Sequence, residues 1–249
     1  MAAEKNHAVQ AERFSGIEVR DLRYRYEDGT SALNGVNFRL EPGESVALLG
    51  PNGSGKTTFA LHLNGLLSGE GSVEVGGLAV NKQNATIIRR KIGLVFQDSD
   101  SQLFMPTVID DVAFGPRNHG AGAEEAVDRA LAALERVGMA AAASKAPYHL
   151  SAGEKKRVAI AGVLASDAEI LVLDEPTTFL DPPAQRELAS LLAGLPQAKI
   201  IITHNMPFAL KICSRAVFFE KGQITAQGSV EEMIRRFRWQ FVTQTADTP

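Results

Sequence analysis

Apolar and polar residues alternate at Ile17-Glu18-Val19, at Val36-Asn37-Phe38-Arg39-Leu40 and at Val73-Glu74-Val75, with turn material at Glu27-Asp28-Gly29 between the first two. A period of two puts every second side chain on one face, so these segments predict half-buried antiparallel strands, with order beginning near Ile17. A different pattern occurs at Val46-Ala47-Leu48-Leu49, Ile92-Gly93-Leu94-Val95-Phe96, Ile170-Leu171-Val172-Leu173 and the run ending at Ile202. Uninterrupted apolar runs of this length predict strands covered on both faces, as in a parallel sheet. The fold class implied is α/β, a parallel-sheet core with an antiparallel β annex. Between about 105 and 156 the chain turns to alanine and charge, and Glu124 to Met139 carries Val127, Leu131, Leu134 and Val137 at helical spacing. This predicts an α-helical insert with those four residues facing inward. A further helix is predicted from near Pro207, then a hairpin turning at Lys221-Gly222 between Ala216-Val217-Phe218-Phe219 and Gln223-Ile224-Thr225.

Composition narrows the picture. The 249 residues are 45% hydrophobic, enough to bury a substantial core, and 26 basic against 29 acidic residues leave a net charge of −3. No global field draws such a chain to nucleic acid or anionic lipid. The apolar runs fall far short of the roughly 20 residues that span a bilayer, so any membrane link would come through a partner. The start, Met1-Ala2-Ala3-Glu4-Lys5-Asn6-His7, lacks the apolar core of a secretory signal, and the single cysteine, Cys213, permits no internal disulfide and reads as a buried, inert thiol. Both features favour the cytoplasm. The basic-aromatic stretch Arg235-Arg236-Phe237-Arg238-Trp239 reads as a solvated tail or a partner contact rather than a nucleic-acid site.

Candidate chemistry begins at Gly50-Pro51-Asn52-Gly53-Ser54-Gly55-Lys56-Thr57, between the predicted strand Val46–Leu49 and the helix-compatible run from Thr58. Glycines at 50, 53 and 55 allow a tight loop whose N–H groups point inward, and the helix that follows adds the positive end of its dipole, so the loop predicts a phosphate site. Lys56 would reach the β and γ phosphates, the Thr57 hydroxyl would coordinate Mg2+, and Thr58 would join the nucleotide contacts. The strand ending at Leu173 runs into Asp174-Glu175. Asp174 would bind magnesium and Glu175 would polarise the attacking water as general base. On its own the loop predicts ATP or GTP without a reaction.

Between these halves lies Leu150-Ser151-Ala152-Gly153-Glu154, which resembles the signature sequence of ABC ATPases, commonly Leu-Ser-Gly-Gly-Gln. In order along the chain, Tyr26 resembles the aromatic residue that stacks on adenine, Gln97 the Q-loop glutamine, Asp181 the D-loop aspartate and His204 the switch histidine. The resemblance implies a P-loop NTPase (RecA-like) core and one ABC ATPase domain over 15–235. Within it a helical subdomain is inserted over about 98–158, a flexible N-terminus covers 1–14 and a tail covers 236–249. It also implies head-to-tail dimers with ATP sandwiched between subunits, Ser151 and the Gly153 N–H of one facing the γ phosphate held by the other. Gln97 would touch both magnesium and the transport machinery, and His204 the γ phosphate. Ala152 stands where a glycine is usual, and Phe179 where the D-loop usually has a small residue. Neither departure removes a catalytic group.

The strings Phe96-Gln97-Asp98-Ser99-Asp100-Ser101-Gln102-Leu103-Phe104, Asp111-Val112-Ala113-Phe114-Gly115-Pro116-Arg117-Asn118 and Gly153-Glu154-Lys155-Lys156-Arg157-Val158-Ala159-Ile160-Ala161 look like the ATPases of energy-coupling-factor importers, particularly those for cobalt or nickel. That resemblance implies a peripheral subunit on the cytoplasmic face of the membrane. Its partners would be a second ATPase subunit (an identical copy or a close homologue), a transmembrane scaffold protein and a membrane substrate-binding subunit, with no nucleic acid. The surface after Gln97 would receive a scaffold helix, with Asp98, Asp100, Asp110 and Asp111 either meeting its basic residues or forming a solvated acidic face. The solute, a transition metal ion or a vitamin, would be bound by the membrane subunit, so the five scattered histidines mark no metal site here. An exporter ATPase of the same fold, or a soluble non-transport ABC ATPase, is the alternative.

Overall fold

A computed structural model describes residues 16–237. The flexible N-terminus expected over 1–14 and the tail from 238 onward lie outside the described residues. Strands β1 (Ile17–Arg25) and β2 (Ser31–Leu40) lead into β3 (Ser45–Leu49) and helix α1 (Lys56–Leu63). Then come β4 (Glu70–Val75), β5 (Leu78–Ala79), α2 (Ala85–Lys91) and β6 (Ile92–Val95). Three helices follow, α3 (Val108–Asn118), α4 (Ala123–Arg136) and α5 (Ala152–Ala165). The chain closes with β7 (Ile170–Asp174), α6 (Pro182–Gly194), β8 (Ala198–Ile202), α7 (Met206–Ile212), β9 (Arg215–Glu220), β10 (Gln223–Gly228) and α8 (Val230–Phe237).

The strands form two sheets. One is four-stranded in the order β2-β1-β4-β5, its pairs antiparallel; the other is six-stranded in the order β10-β9-β3-β8-β7-β6. Pairings of β3 with β8 and β9, of β8 with β7 and of β7 with β6 are all parallel. The continuous apolar runs are explained by what covers the larger sheet. Ala47, Leu49, Leu171, Leu173, Ile201 and Phe218 point into a core shared with α3 to α7, while Val46, Leu48, Val172, Ile200, Ile202 and Phe219 point into a second core under α1 and the antiparallel sheet. Phe38, Phe59 and Phe219 link annex, helix and main sheet, with ring centroids 5.3 Å apart at each step. Rings at such separations contribute beyond simple area burial.

Three features depart from the sequence reading. The predicted hairpin exists as β9 and β10, but β9 also pairs parallel to β3 and so belongs to the main sheet. A local apolar pattern carries no information on which distant strand it joins. Of the four residues expected to face inward along α4, Leu134 and Val137 are buried and Val127 is half-buried, but Leu131 is 43% exposed, and Ala126, Ala130 and Ala133 complete the buried face. The alanines carry no polar group and so share the buried face with Leu134 and Val137. The acidic residues after Gln97 are largely used internally. Asp111 Oδ1 accepts from the N–H groups of Phe104 and Met105, Asp100 pairs with Lys155 at 2.5 Å, and Asp110 caps α3 with Thr107.

Cys213 follows α7, buried, with its thiol pushed up to about 12 by that burial. In the folded protein a disulfide-exchange reagent at pH 8 will label Cys213 only as fast as the structure opens, and denaturant will make labelling immediate. Rapid native labelling would contradict this burial.

Candidate active site

Three parallel strands end side by side. β3 runs into Gly50, β7 ends at Asp174 and β8 at Ile202, with Leu48 and Asp174 both registered against Ile202. Open α/β sheets bind ligands beyond the carboxyl ends of their strands. The loop leaving β3 bends through left-handed backbone at Gly50, Gly53 and Gly55, with φ of 138°, 75° and 104°. A Cβ on Gly50 would stand 2.2 Å from the Phe219 carbonyl oxygen, and one on Gly55 2.6 Å from that of Ala32, so no larger residue fits either place. α1 starts at Lys56 and presents its unpaired first-turn N–H groups toward the loop. The Lys56 ammonium, 6% exposed, donates to the carbonyls of Gly50 at 2.7 Å and Pro51 at 2.8 Å and lies 3.4 Å from Ser54 Oγ. Burial pulls its pKa below the ordinary lysine value, against the opposing charges of Glu175 and Asp174.

From the other strands come the acids. Thr57 Oγ1 donates to Asp174 Oδ2 at 2.8 Å, and burial raises the Asp174 pKa, with Thr57 and Lys56 pulling it down. Two oxygen donors from different elements thus already meet, and hard oxygens are the ligands magnesium prefers. Glu175 turns out of β7 with φ of 41°, a strained value for a residue with a side chain. That turn directs its carboxylate to His204. The His204 N–H donates to Glu175 Oε2 at 3.3 Å, and His204 Nε2 lies 3.0 Å from both Glu175 Oε1 and Asn52 Oδ1. Side chains from the ends of β3, β7 and β8 are thereby joined. Burial pushes the Glu175 carboxyl up to about 7, helped by Asp174 and opposed by the His204 N–H. A carboxyl titrating there suits proton transfer near neutrality. The His204 pKa is lowered by burial and by Lys56.

A cavity of about 360 Å³ is lined by Tyr26, Asn52, Gly53, Gly55, Lys56, Thr57, Thr58, Gln97, Asp174 and Glu175, and His204 stands behind it against Glu175 and Asn52. Gly50, Pro51 and Ser54 form the back of the loop around the Lys56 ammonium. Ser151 and Gly153 do not line the cavity. They begin α5, where Ser151 Oγ accepts from the Glu154 N–H and Glu154 accepts from the Ser151 N–H, a reciprocal cap on an exposed helix start.

Two groups of residues escaped the sequence reading. Thr30, Ser31 and Ala32 line the cavity near Tyr26, because the Glu27–Gly29 turn brings the chain back and Tyr26 N–H donates to the Thr30 carbonyl. The turn was legible, its consequence was not. Lys156, 2% exposed, donates to the carbonyls of Phe96 and Gln97 at 2.9 Å each, anchoring the Gln97 loop to α5, and burial takes its pKa down to about 8. A lysine amid the apolar positions of α5 was the available signal.

Residues 33–178 match the family model described as ABC transporter. The chain is 47% identical over 225 residues to the energy-coupling factor transporter ATP-binding protein EcfA of Methanothermobacter thermautotrophicus, spanning 88% of this chain and 72% of that protein. Its structure resembles cbiO1 of Clostridium perfringens, part of the ABC transporter complex cbiONQ, with a TM-score of 0.79 and 36% identity over 90% of this chain and 95% of that one. It also resembles an ATP-binding cassette solved as a dimer in a post-hydrolysis state with ADP and phosphate, with a TM-score of 0.77 and 28% identity over 86% of this chain and 98% of the other.

Proposed function

Because the chain belongs to the ABC transporter ATP-binding family, and within it to the energy-coupling-factor type, we propose that two copies hydrolyse ATP to drive uptake of a solute through a membrane complex. The chain is an ATPase, with ATP and magnesium as its ligands. The observation that carries the assignment of residues is the meeting of Lys56, Asp174 and Glu175 on one cavity at the ends of β3 and β7, with His204 from beyond β8 held against Glu175 and Asn52. In this reading the loop N–H groups and Lys56 hold the β and γ phosphates, and Tyr26 stacks on the adenine. Thr57 and Asp174, with Gln97 lining the same cavity, would hold the magnesium ion, which would supply charge neutralisation at the phosphates. Glu175 takes the proton of the attacking water, and His204 holds the γ phosphate while keeping the Glu175 carboxylate oriented. Ser151 of the partner subunit and the partner's Gly153 N–H close over the γ phosphate, so ATP joins two copies and hydrolysis releases them.

A second cavity of about 340 Å³, lined in part by Arg90, Leu94, Phe96, Leu103, Phe104 and Phe114, lies beyond the Gln97 loop. Phe104 is 62% exposed and packs edge-on against Phe114 with centroids 5.1 Å apart. Large exposed aromatics at a groove are typical of a helix-docking site. In this reading the groove receives a helix of the transmembrane scaffold and the chain works at the cytoplasmic face of the membrane. Among the described residues no helix is long and apolar enough to cross it. The solute is a transition metal ion (cobalt or nickel) or a vitamin, bound by a separate membrane subunit.

Purification of the tagged chain from its native membranes tests the assembly. A hydrophobic scaffold protein and a small membrane protein will copurify, and Phe104→Asp, checked for folding by circular dichroism, will reduce their recovery at least about tenfold, the loss of one interface anchor. Copurified ribosomes or DNA instead of membrane proteins, or undiminished recovery with Phe104→Asp, would overturn it.

A further inference from the structure

Beside Tyr26 four residues close a ring, three links through side chains and one through the Thr58 carbonyl. Tyr26 Oη lies 2.9 Å from Thr58 Oγ1, and the Thr58 carbonyl lies 2.7 Å from His62 Nδ1. The His62 ring meets the Tyr24 ring edge-on, with centroids 4.7 Å apart at 71°, and Tyr24 meets Tyr26 in the same manner at 5.0 Å and 83°. His62 is 2% exposed. Because its Nδ1 faces a carbonyl, that nitrogen carries the hydrogen and donates it, leaving Nε2 as a bare acceptor, with no hydrogen-bond partner among the described residues. Burial lowers the His62 pKa, which keeps the ring neutral. The wall behind it is tight: a Cβ on Gly69 would come within 3.2 Å of His62 Nε2 and 2.3 Å of the Arg23 carbonyl oxygen. The imidazole is therefore held by α1 on one side and by β1 with the approach to β4 on the other.

Tyr26 needs such support. It lies just past the end of β1, leads into the Glu27–Gly29 turn and is 39% exposed. A ring that is to stack on a base but swings freely must be ordered on binding, and that ordering subtracts from affinity. Fixing it beforehand requires a rigid neighbour on its edge and a fixed partner for its hydroxyl. Tyr24 provides the first and Thr58 the second, and His62 touches both.

We propose that His62, together with Tyr24, is a positioning residue that locks the Tyr26 ring into one orientation as the platform for the base of the bound nucleotide. This rests on the reading of Tyr26 as the adenine contact. His62 acts through the Tyr24 and Tyr26 rings and meets Thr58 only at its backbone carbonyl, so its loss weakens recognition of the base while leaving the chemistry at the γ phosphate in place.

Steady-state ATPase kinetics of the full chain test this, with Mg-ATP as substrate and Mg-tripolyphosphate, which has no base, as competitive inhibitor. His62→Leu keeps the volume and removes the donor. KM for ATP is expected to rise about fivefold with kcat within about twofold, the scale of one lost hydrogen bond. The tripolyphosphate Ki should stay the same. His62→Asn, whose amide can donate to the carbonyl four residues back, should restore most of the affinity. In the double variant with Tyr26→Ala, KM should be no higher than in Tyr26→Ala alone, because two residues acting through one contact do not add. The proposal is overturned by an unchanged KM in His62→Leu, by a parallel rise in the tripolyphosphate Ki, or by multiplying effects in the double variant. If Tyr26→Ala itself leaves KM unchanged, the platform reading falls and the proposal with it. If Tyr26→Ala raises KM and His62→Leu does not, only the proposal falls.

Discussion

Glu175→Gln will lower kcat for ATP hydrolysis by about 10²- to 10⁴-fold, the range attached to a positioned general base, while ATP still binds. The amide keeps the size of the side chain and an oxygen to accept the His204 N–H, so the turn at Glu175 and the contact at 3.3 Å can persist. What disappears is the carboxylate that takes a proton. Removing one negative charge beside Asp174 also eases the approach of the γ phosphate, so bound ATP accumulates instead of turning over. Phosphate release measured beside filter retention of labelled ATP separates the two effects. Hydrolysis at the unsubstituted rate would show that another group accepts the proton.

Lys56→Ala will act on binding instead, weakening ATP by about 100-fold, since truncating one partner of a buried charge pair costs roughly 2–5 kcal/mol. The Lys56 ammonium sits inside the loop, bonded to the Gly50 and Pro51 carbonyls. It braces the loop around a fixed donor and, in the proposed reading, neutralises phosphate charge. Alanine ends both, leaving two carbonyls facing the cavity where an anion must sit. Titration calorimetry with Mg-ATP measures the loss, and affinity within about threefold of the unsubstituted chain would place the phosphates elsewhere.

How much of this was legible in the sequence depends on how local each feature is. The phosphate loop could be read because its glycines answer to neighbours a few residues away, and the structure explains Gly50 and Gly55 by contacts under 3 Å. The strands from Val46, Ile92 and Ile170 could be read because burial on both faces removes polar residues entirely. Features set by distant parts of the chain could not. The parallel pairing of β9 with β3, the exposure of Leu131 on α4 and the closing of His62 against Gly69 each depend on which element arrives from elsewhere. Lys156 shows the same limit: its partners at Phe96 and Gln97 lie about sixty residues back, and only the assembled fold shows why a lysine belongs among buried aliphatic residues. The resemblance named Gln97 and His204, but not the bonds from Asn52 and Glu175 that orient the histidine.

The central claim is that the Gly50–Thr57 loop is half of a site and a second copy supplies the rest. Light scattering of Glu175→Gln tests it most directly, with Mg-ATP and then with Mg-ADP. The chain of 26.7 kDa should double to roughly 53 kDa with Mg-ATP and return to monomer with Mg-ADP. Adding Ser151→Glu to the same variant, which sets a carboxylate against the partner's γ phosphate, should hold it at the monomer mass while ATP remains bound. A monomer at saturating Mg-ATP, or a dimer indifferent to Ser151→Glu, would contradict the account.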